Sequence, residues 1–374
     1  MATSVPLLAP ISATVARLPR RDASNPSVAV PRLSVIIVNF CQWRNTDHLV
    51  QGLRQSRAMQ TGDAEIVIID NHSPPSPVLG QLRRTPGVSL RRFGRNRGFA
   101  RAVNEGARLS RGQWFLLLNP DMSVTPGFLD QLLDYANRME SESPRTGIIG
   151  FHLRYADGTR QASCGPFPTI VNTLGGLLLP RRRRKCRTVT RRRQRVPWAT
   201  GCCLLIRREC LEQLSGFDED FFLYYEDVDF CRRARQQGWS VWYDPRLEVV
   251  HHSPLHLRRV VPPLRLMTRH ALLTYSRKHW PLWQTSILSG VVWLEAWARQ
   301  RWAERQQQSE MAQHYGELRA MVGDLIQGRE DAARRRLRSA ARALRSYAEE
   351  QDRLSADAPD AEYTNRADAV SPGG

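Results

Sequence analysis

The sequence lacks the features that define several large classes of protein. No stretch reaches the roughly 18 uninterrupted apolar residues of a membrane-spanning helix, and the best candidate, residues 282–298, is interrupted by Gln284, Ser286 and Glu295. The seven cysteines include no CxxC pair, so we expect reduced thiols rather than a disulfide framework or a zinc site. The sequence also lacks the GxGxxG and Walker motifs, which argues against a dinucleotide-binding or P-loop protein.

Acidic residues are scarce relative to basic ones. The 374-residue chain has 55 Lys and Arg against 36 Asp and Glu, giving a formal charge of +19 and a pI of about 10.6. This balance favours an anionic partner, which could be nucleic acid, an acidic membrane surface or a phosphorylated substrate. Ten of the fifteen residues in 181–195 are basic, and such a dense block of like charge predicts a mobile loop.

Apolar, β-branched runs alternate with helical patterns from residue 33 onward. Buried strands are predicted at 33–40, 65–71, 88–92 and 114–118, and this alternation favours an α/β fold with a mainly parallel, doubly wound sheet. Further strands are predicted at 147–150, 198–206, 241–243 and 247–250. From about residue 262 to 347 the pattern is helical.

These patterns predict four parts of the chain. The first 31 residues contain proline and almost no acid, and the last twenty are small and acidic, so both ends are predicted to be disordered. The predicted parts are a leader over 1–31, an α/β domain over 32–260 that includes the basic loop 181–195, a helical C-terminal region over 261–350, and a tail over 351–374.

Polar side chains stand at successive strand ends of the predicted sheet. They are Asn39, Asp70, Asn71, Asn119 and Asp121. Turn chemistry explains any one of them, but five at successive strand ends indicate a binding edge, because doubly wound sheets bind ligands beyond the carboxyl ends of their strands.

Residues 216–230, called here the acidic–aromatic run, place six carboxylates among aromatic and aliphatic side chains. An unpaired buried carboxylate is costly, so this composition suits a cleft in which a carboxylate acts as a base. If a helix begins near Tyr225, its macrodipole would also favour acids in the first turn, which is a structural explanation for two of Glu226, Asp227 and Asp229.

Two further groups could bind the substrate or a metal ion. His251 and His252 close a predicted strand, where one of them can face the same cleft as Asp121, and imidazole with carboxylate suits Mn²⁺. Residues 95–104 join a glycine turn to a basic helix start, where backbone N–H groups and arginines could hold a diphosphate.

Together these segments resemble glycosyltransferase family 2, in particular its rhamnosyltransferase-like members. The resemblance covers about residues 33–255 and implies a GT-A fold, a nucleotide-sugar donor, a divalent metal (Mn²⁺ or Mg²⁺) and inversion at the anomeric carbon. The matching segments, in family order, are 34–40, 68–73, 96–106, 116–121, 199–207, 216–231 and 249–252.

The resemblance also implies roles for individual residues. Asp227 matches the catalytic base, with Glu226 beside it. Asp121 matches the metal ligand, and His251 matches the metal-binding histidine that closes the domain, with His252 as its possible substitute. The positions implied to bind the nucleotide-sugar are Asn39, Asp70, Asn71, Asn96, Gly98, Asn104 and Asn119. Asn119 stands where the family usually has Asp, and Cys41 where it often has Asn.

The expected activity is transfer of a sugar, with dTDP-rhamnose the preferred donor, to a hydroxyl of a glycan or lipid-linked acceptor in cell-surface polysaccharide synthesis. The expected location is cytoplasmic, with peripheral attachment to the inner face of the plasma membrane. The basic loop would attract anionic lipid or acceptor phosphates. The tryptophans of the helical region either lie at the membrane interface or pack the helices onto the domain; they are Trp280, Trp283, Trp293, Trp297 and Trp302.

Two alternatives from other functional classes are weighed against this hypothesis. The first is a catalytically inactive scaffold with the same fold, which the survival of the metal and base positions disfavours. The second is a nucleic-acid-binding protein led by the basic loop. No aromatic-studded recognition motif accompanies that loop, and the acids of 218–229 would oppose a phosphate backbone, so nucleic acid is disfavoured as a partner.

Overall fold

The computed structural model describes residues 30–178, 192–252 and 261–357, with side chains described as far as 176 in the first range and 349 in the last. The predicted leader up to residue 29, residues 179–191 with most of the predicted basic loop, and the predicted tail from residue 358 lie outside the described residues. The helical C-terminal region continues past residue 350, because its last helix ends at Asp357.

Strands and helices alternate through the first half of the chain, as the sequence predicts. The strands are β1 (Leu33–Asn39), β2 (Ala64–Asp70), β3 (Val88–Arg92), β4 (Trp114–Leu118), β5 (Met122–Ser123), β6 (Thr146–Arg154), β7 (Arg160–Gln161), β8 (Cys164–Gly165), β9 (Gln194–Arg195), β10 (Trp198–Ala199), β11 (Cys203–Arg207) and β12 (Ser240–His251). The helices are α1 (Trp43–Arg54), α2 (Arg57–Thr61), α3 (Pro77–Arg84), α4 (Phe99–Leu109), α5 (Phe128–Glu142), α6 (Ile170–Leu178), α7 (Arg208–Gln213), α8 (Glu226–Gln236), α9 (Pro262–His279), α10 (Leu282–Arg305), α11 (Ser309–Ile326) and α12 (Glu330–Asp357).

The central sheet has the strand order β3-β2-β1-β4-β11-β6-β12-β5. Strands β3, β2, β1 and β4 are parallel neighbours, and β6 pairs with β12 in parallel, whereas β11 lies antiparallel between β4 and β6. The predicted α/β class, mainly parallel central sheet and helical C-terminal extension are therefore confirmed. Because β1, β2 and β4 are parallel, their carboxyl ends lie at the same edge of the sheet.

The structure differs from the sequence-based expectation at two places near β12. The strands predicted at 241–243 and 247–250 are one strand, whose pairing with β6 is interrupted by an irregularity between Asp244 and Glu248. Gln194 and Arg195, at the end of the predicted basic loop, form β9 and pair with Tyr243 and Trp242, so the loop ends earlier than predicted.

The sheet is covered by hydrophobic cores on both faces. Alternation along β1 sends Leu33, Val35 and Ile37 into one core and Ile36 and Val38 into the other, and all five are buried. Helices α1 and α5 pack on the first face, and α4 and α8 pack on the second. Burial on both faces is the reason these strands read as continuous apolar runs.

The four C-terminal helices form a separate core that includes part of the acidic–aromatic run. Leu272 and Leu273 of α9 pack with residues of α10, α11 and α12, and Phe222 and Leu223 of the run lean against the same cluster. Tyr275 of α9 joins a smaller buried cluster with residues of the run and of α8. Among the described residues, no helix is long and apolar enough to cross a membrane.

His270 of α9 makes the stability of this C-terminal core depend on pH. Burial, reinforced by the charges of Arg334 and Arg277, lowers the pKa of His270 from 6.5 to about 4, and only 5% of its surface is exposed. A depressed histidine pKa means that the unfolded chain binds the proton more tightly than the folded one. We therefore expect full stability above about pH 6.5, and loss of about 2–3 kcal/mol of unfolding free energy as the pH falls towards 4.

Urea unfolding at a series of pH values measures this effect. His270→Gln, which carries no titrating group, should show a flatter dependence of unfolding free energy on pH between 4 and 6.5. An unchanged dependence in the variant would contradict the assignment to His270.

Candidate active site

The carboxyl ends of β1 and β2 are joined by a buried polar network. Asn39 Nδ2 donates to Asp70 Oδ1 and to Ser73 Oγ, each at 3.0 Å, and Thr46 Oγ1 donates to Asn39 Oδ1 at 2.9 Å. Asn39 and Asp70 are fully buried and are register partners in the parallel ladder. The predicted convergence of these strand ends is therefore present, and Asn39 fixes the loops that leave both strands.

The carboxylate of Asp70 is held from two sides. Arg92 Nε donates to Asp70 Oδ2 at 2.7 Å, while the backbone N–H of Ser73 donates to Oδ1 at 3.1 Å. Arg92 also donates through Nη2 to the carbonyl of Ser73 at 2.7 Å. Charge-assisted bonds of this kind offset the cost of burying the carboxylate. These bonds hold the turn after β2 in place, and they pair the Asp70 carboxylate with the guanidinium group of Arg92.

Asn71 ties this edge to the start of α4. Its Nδ2 donates to the carbonyl of Gly98 at 3.2 Å, and its Oδ1 accepts the N–H of Arg97 at 2.8 Å. Asn96 closes the same turn, because its Oδ1 accepts the N–H of Gly98 at 3.0 Å. Three predicted site residues, Asn71, Asn96 and Gly98, are thereby brought together with Asp70.

Gly98 is required by both its backbone and its surroundings. Its φ is +89°, in the region that disfavours side chains, and a Cβ there would lie 2.7 Å from the carbonyl oxygen of Phe222. The next N–H, that of Phe99, donates to the same oxygen at 2.7 Å. The glycine turn therefore joins the nucleotide-side edge to the acidic–aromatic run.

Asn104 contacts the acidic–aromatic run instead of the strand ends. Its Nδ2 donates to the carbonyl of Phe217 at 2.8 Å, and its Oδ1 accepts the N–H of Phe217 at the same distance. A Cβ on Gly216, whose φ is +83°, would overlap Asn104 Oδ1 at 2.5 Å. Among the described contacts, Asn104 has none with Asn39, Asp70 or Asn71. Its two bonds to the backbone of Phe217 hold the start of the run.

The two predicted metal ligands face each other. Asp121 Oδ2 lies 3.4 Å from His251 Nε2, and both side chains are buried. His251 Nδ1 lies 3.1 Å from Gln161 Oε1. With that oxygen as the acceptor, Nδ1 is the ring nitrogen directed at Gln161, and Nε2 is the ring nitrogen that faces Asp121. A histidine held through its other nitrogen in this way is typical of a metal ligand.

This donor set fits a divalent cation. The Asp121 carboxylate and the His251 ring nitrogen face each other, so both can bind a cation placed between them. Carboxylate together with imidazole suits Mn²⁺. No group of three or more His, Cys, Asp or Glu side chains with metal-site geometry occurs in the described part of the chain. The protein would thus supply two ligands and leave the other positions for substrate and water.

His252 is placed differently from His251. Its ring contacts Ser123 Oγ through Nε2, and its backbone N–H donates to the carbonyl of Asp121 at 3.0 Å. Its ring is therefore engaged at Ser123, whereas the ring of His251 faces the Asp121 carboxylate.

Asp227, the predicted base, lies in the first turn of α8. Its Oδ2 accepts the N–H of Gly201 at 2.8 Å, and its Oδ1 accepts the N–H of Val228 at 2.9 Å. The side chain is half-buried. Asp227 thus lies at the N-terminal end of α8 with both carboxylate oxygens accepting backbone N–H groups. Glu226, its predicted companion, is buried.

A single turn, residues 200–202, connects the predicted base to the predicted metal motif. The N–H of Gly201 bonds Asp227, and the carbonyl of Cys202 accepts the N–H of Asn119 at 2.9 Å. A Cβ on Gly201 would lie 3.2 Å from Cβ of Asp227, so glycine lets the base approach this turn. The turn is therefore bonded to Asp227 on one side and, on the other, to Asn119, which lies two residues before Asp121.

Backbone strain is concentrated around this site. Cys41 and His72, each two residues after the end of β1 or β2, have φ values of +54° and +76°. Tyr224 and Tyr225, directly before α8, have φ values of +76° and +66°. Each such residue costs on the order of 1–3 kcal/mol, and strain of this kind clusters at functional sites.

Three other acids of the acidic–aromatic run, Asp218, Asp220 and Asp229, are paired with the C-terminal helices, whereas Glu219 lies 3.4 Å from Arg101 of α4. Lys278 of α9 lies 2.8 Å from both Asp218 and Asp220, and Arg334 of α12 lies 2.5 Å from Asp220. Asp229 is bonded by His279 Nε2 and by Arg233 Nε, each at 2.7 Å. We call these contacts the C-terminal clamp. They leave Asp227 as the acid of this run that faces the turn at Gly201.

The clamp favours the ionised form of two of its acids, Asp220 and Asp229, whose pKa values are lowered. Burial alone would raise the pKa of Asp229, but the bonds from His279 and Arg233 outweigh it and lower the pKa below its usual value. Burial would likewise raise the pKa of Asp220, but the hydrogen bonds and charges of Lys278 and Arg334 outweigh burial and lower it. These carboxylates hold the loop in place through ion pairs with the basic side chains around them.

Several residues of the site were not predicted from the sequence. Gln161 carries no motif signal, because it lies on a two-residue strand far from His251 in sequence. Gly201 has a weak signal, as a glycine between Thr200 and Cys202 at the start of a strand. Lys278 and Arg334 lie beyond the segments that the family resemblance covers.

The geometry places an acid at a helix start and an acid–imidazole pair beyond the carboxyl ends of a parallel sheet, as in enzymes that bind substrate at that edge. The family model described as "Glycosyltransferase like family 2" matches residues 31–272. The chain belongs to this family and is a glycosyltransferase. The GT-A fold implied by the resemblance follows from this membership and from the observed sheet.

Curated relatives include rhamnosyltransferases. The chain is 33% identical over 227 residues to N-acetylglucosaminyl-diphospho-decaprenol L-rhamnosyltransferase of Mycobacterium tuberculosis, covering 55% of this chain and 72% of that protein. It is 27% identical over 169 residues to rhamnosyltransferase WbbL of Escherichia coli, covering 43% and 61%. Among solved structures, mannosyltransferase PcManGT of Pyrobaculum calidifontis with GDP-Man and Mn²⁺ aligns with a TM-score of 0.45 and 17% identity over 87% of this chain and 84% of that one.

Proposed function

We propose that this enzyme transfers rhamnose from dTDP-rhamnose to a hydroxyl of a lipid-linked glycan acceptor, with inversion at the anomeric carbon. The observation that carries the proposal is that the turn 200–202 is bonded both to Asp227 and to Asn119, two residues before Asp121, whose carboxylate faces the ring of His251. The sugar and the lipid-linked acceptor follow the name of the mycobacterial relative, which is an L-rhamnosyltransferase acting on N-acetylglucosaminyl-diphospho-decaprenol. The dTDP nucleotide follows the family resemblance.

In this proposal Asp227 accepts the proton of the acceptor hydroxyl. The hydroxyl oxygen then forms a bond to the anomeric carbon as the bond from that carbon to the diphosphate oxygen breaks, and the electron pair leaves with the nucleoside diphosphate. A positioned general base contributes about 10²–10⁴-fold to such a step. The N–H groups of Gly201 and Val228 orient the two carboxylate oxygens of Asp227 towards this task.

Asp121 and His251 would hold Mn²⁺ or Mg²⁺, with Gln161 fixing the imidazole ring. A divalent cation at such a site stabilises the charge that develops on the departing diphosphate. Asn39, Asp70 and Asn71 form the floor of the proposed nucleotide site, Asn96 and Gly98 shape its glycine turn, and Asn119 links it to the metal motif. Asn104 orients the acidic–aromatic run on the acceptor side.

The proposed location is cytoplasmic, with peripheral contact to the inner face of the plasma membrane. Support comes from the charge of +19 and from the lipid-linked substrate in the name of the mycobacterial relative. A polyprenyl-diphosphate acceptor is embedded in a bilayer and carries its own negative charge, so an enzyme that uses it benefits from a basic surface.

A thermal-shift panel of nucleotide-sugars with Mn²⁺ or Mg²⁺ tests the donor. A ligand at 100 times its dissociation constant stabilises the folded state by about 2.7 kcal/mol, so we expect dTDP-rhamnose with metal to raise the melting temperature more than UDP- or GDP-sugars do. Turnover with the best binder and a lipid-linked acceptor follows, and the anomeric configuration of the product reports inversion. Preference for another donor would overturn the choice of rhamnose, and a retained configuration would overturn the displacement mechanism.

A further inference from the structure

The outward face of α10 carries a continuous row of large apolar side chains. Eight of the twelve large hydrophobic residues that are exposed in the described chain belong to this one helix. They are Leu282, Trp283, Ile287, Val291, Trp293, Leu294, Trp297 and Trp302, with 72%, 60%, 45%, 37%, 38%, 55%, 38% and 57% of their surfaces exposed. Exposed apolar surface concentrated in this way marks an interaction site rather than ordinary surface variation.

Helical periodicity extends this row and places positive charge at its end. Positions 283, 287, 294, 301 and 305 share one side of the helix, since they are separated by multiples of about 3.6 residues. The row thus begins with Trp283 and ends with Arg301 and Arg305. No charged residue occurs from Leu282 to Leu294, and the first one, Glu295, points inward.

The inward side of α10 is fixed, so the outward side is a stable surface. Leu288, Val292 and Ala296 are completely buried in the C-terminal core. Glu295 is bonded by Arg269 at 2.8 Å and by Arg265 at 3.4 Å, both on α9. The helix cannot rotate to hide its tryptophans without breaking this buried network.

Trp280 packs the helices onto the domain and differs in this from the tryptophans of α10. It packs inward, because its Nε1 donates to the carbonyl of Pro168 at 3.0 Å and its ring lies edge-on to Tyr275. The four tryptophans of α10 do not share this environment. Their exposed position and mixed apolar and polar character suit the boundary between lipid headgroups and acyl chains.

We propose that the outward face of α10 docks on the surface of a bilayer that contains anionic lipid. The helix would lie in the plane of the interface, with Trp283, Ile287 and Leu294 entering the headgroup boundary and Arg301 and Arg305 meeting anionic headgroups. Helix α6 packs beside α10, and its Val171 is 79% exposed. A 24-residue helix is about 36 Å long, so this contact is extensive.

Charge favours the bilayer over a second copy of the chain as the occupant of this face. Two copies would each bring a charge of +19 to the contact, whereas anionic lipid is attracted by it. Residues 262–350 alone contain fifteen Arg and Lys against nine acidic residues. Helix α10 itself carries Arg299, Arg301 and Arg305 against Glu295 and Glu304, and Arg301 lies 3.2 Å from Glu304. The C-terminal helices taken together have the sign that an anionic membrane requires.

Docking of α10 would serve the proposed transfer of a sugar to a lipid-linked acceptor, and its physiological purpose rests on that proposed function. Helix α9 links the docking face to the site, since it bonds Glu295 through Arg265 and Arg269 and bonds the acidic–aromatic run through Lys278. A bilayer bound at α10 would hold the acceptor hydroxyl of an embedded lipid at a constant height relative to Asp227.

Vesicle flotation without donor or acceptor measures docking directly. We expect the full chain to float with vesicles of phosphatidylcholine and phosphatidylglycerol, and to bind phosphatidylcholine alone much more weakly. Brominated acyl chains in the same vesicles should quench tryptophan fluorescence, because four of the ten tryptophans lie on α10. Quenching needs no variant, so it tests the proposal even where a substitution affects folding.

Two sets of variants separate the apolar and the charged contributions. Trp283→Glu with Leu294→Glu should weaken partitioning at least about tenfold, because it places charge in the headgroup boundary. Arg301→Gln with Arg305→Gln should weaken only the binding to anionic vesicles, by about fivefold per arginine. The matched control is Leu109→Glu at the end of α4, which is exposed and apolar but lies on the α/β domain, and it should bind as the wild type does.

The outcomes decide between the candidates. Failure of the wild type to float, absence of quenching, or equal loss in the Leu109→Glu control would overturn the proposal. A stable dimer in sedimentation that the α10 double variant converts to a monomer, without any change in flotation, would assign the face to a second copy. Vesicle binding without sugar transfer would contradict only the proposed function, and sugar transfer without vesicle binding would contradict only the docking face.

Discussion

Asp227→Asn should reduce turnover by about 10³-fold, within the range that a positioned base contributes, while leaving the fold and donor binding intact. The amide keeps the shape of the carboxylate but cannot take the proton of the acceptor hydroxyl. Its single carbonyl oxygen can still accept the N–H of Gly201, which bonds Asp227 Oδ2 at 2.8 Å in the wild type, whereas its NH2 group cannot accept the N–H of Val228. Steady-state kinetics with saturating donor, together with thermal-shift titration of the donor, measure the two effects separately.

Asp229→Asn is the matched comparison for this variant. Asp229 lies two residues later on the same helix, but its carboxylate is buried between His279 and Arg233. Removing one member of a buried charged group costs about 3–5 kcal/mol, so this variant should lose stability and keep most of its turnover per folded molecule. Near-normal turnover in Asp227→Asn, at unchanged stability, would refute the assignment of the base.

Asp121→Ala should reduce turnover by about 10²–10³-fold, because it removes the carboxylate that anchors the proposed cation. Chelation with EDTA should inactivate the wild type, and Mn²⁺ should restore it. The same Mn²⁺ concentration should not restore Asp121→Ala. Mn²⁺ affinity in the presence of a nucleoside diphosphate, measured by electron paramagnetic resonance, gives a second readout that does not depend on turnover.

The neighbouring histidines provide the control for the metal assignment. His251→Ala should weaken Mn²⁺ binding, and Gln161→Ala should weaken it by about 10–100-fold through loss of the bond that orients the ring. His252→Ala should bind Mn²⁺ as the wild type does, because its ring contacts Ser123. If His252→Ala loses the metal and His251→Ala keeps it, the roles of the two residues are exchanged.

The α/β part of the fold was predictable because its signal is local. Four apolar, β-branched runs gave β1 to β4 within one or two residues, and parallel strands must then bring Asn39 and Asp70 to one edge. The antiparallel position of β11 between β4 and β6 was not predictable. Its run reads like any other buried strand, and its neighbours are chosen by packing of the whole sheet.

The site was predictable to the extent that its groups belong to motifs. Asp121 and His251 are separated by 130 residues, and their pairing followed from the family resemblance rather than from spacing. Gln161 could not be predicted, since one hydrogen bond to a ring nitrogen leaves no pattern in the sequence. The contact between Asn104 and Phe217 was hidden for the same reason, because an amide that bonds a backbone carries no information about which backbone it bonds.

The C-terminal clamp has a consequence for how this enzyme can diverge. Lys278 and Arg334 neutralise Asp218 and Asp220 across the boundary that secondary structure draws near residue 260. A neutral residue at Lys278 would therefore remove the ammonium group that both acidic partners share, unless those acids change as well. The acidic–aromatic run and the terminal helices are thus coupled through charge, and grafting either of them alone onto a relative would leave these acids or these cations without their present partners.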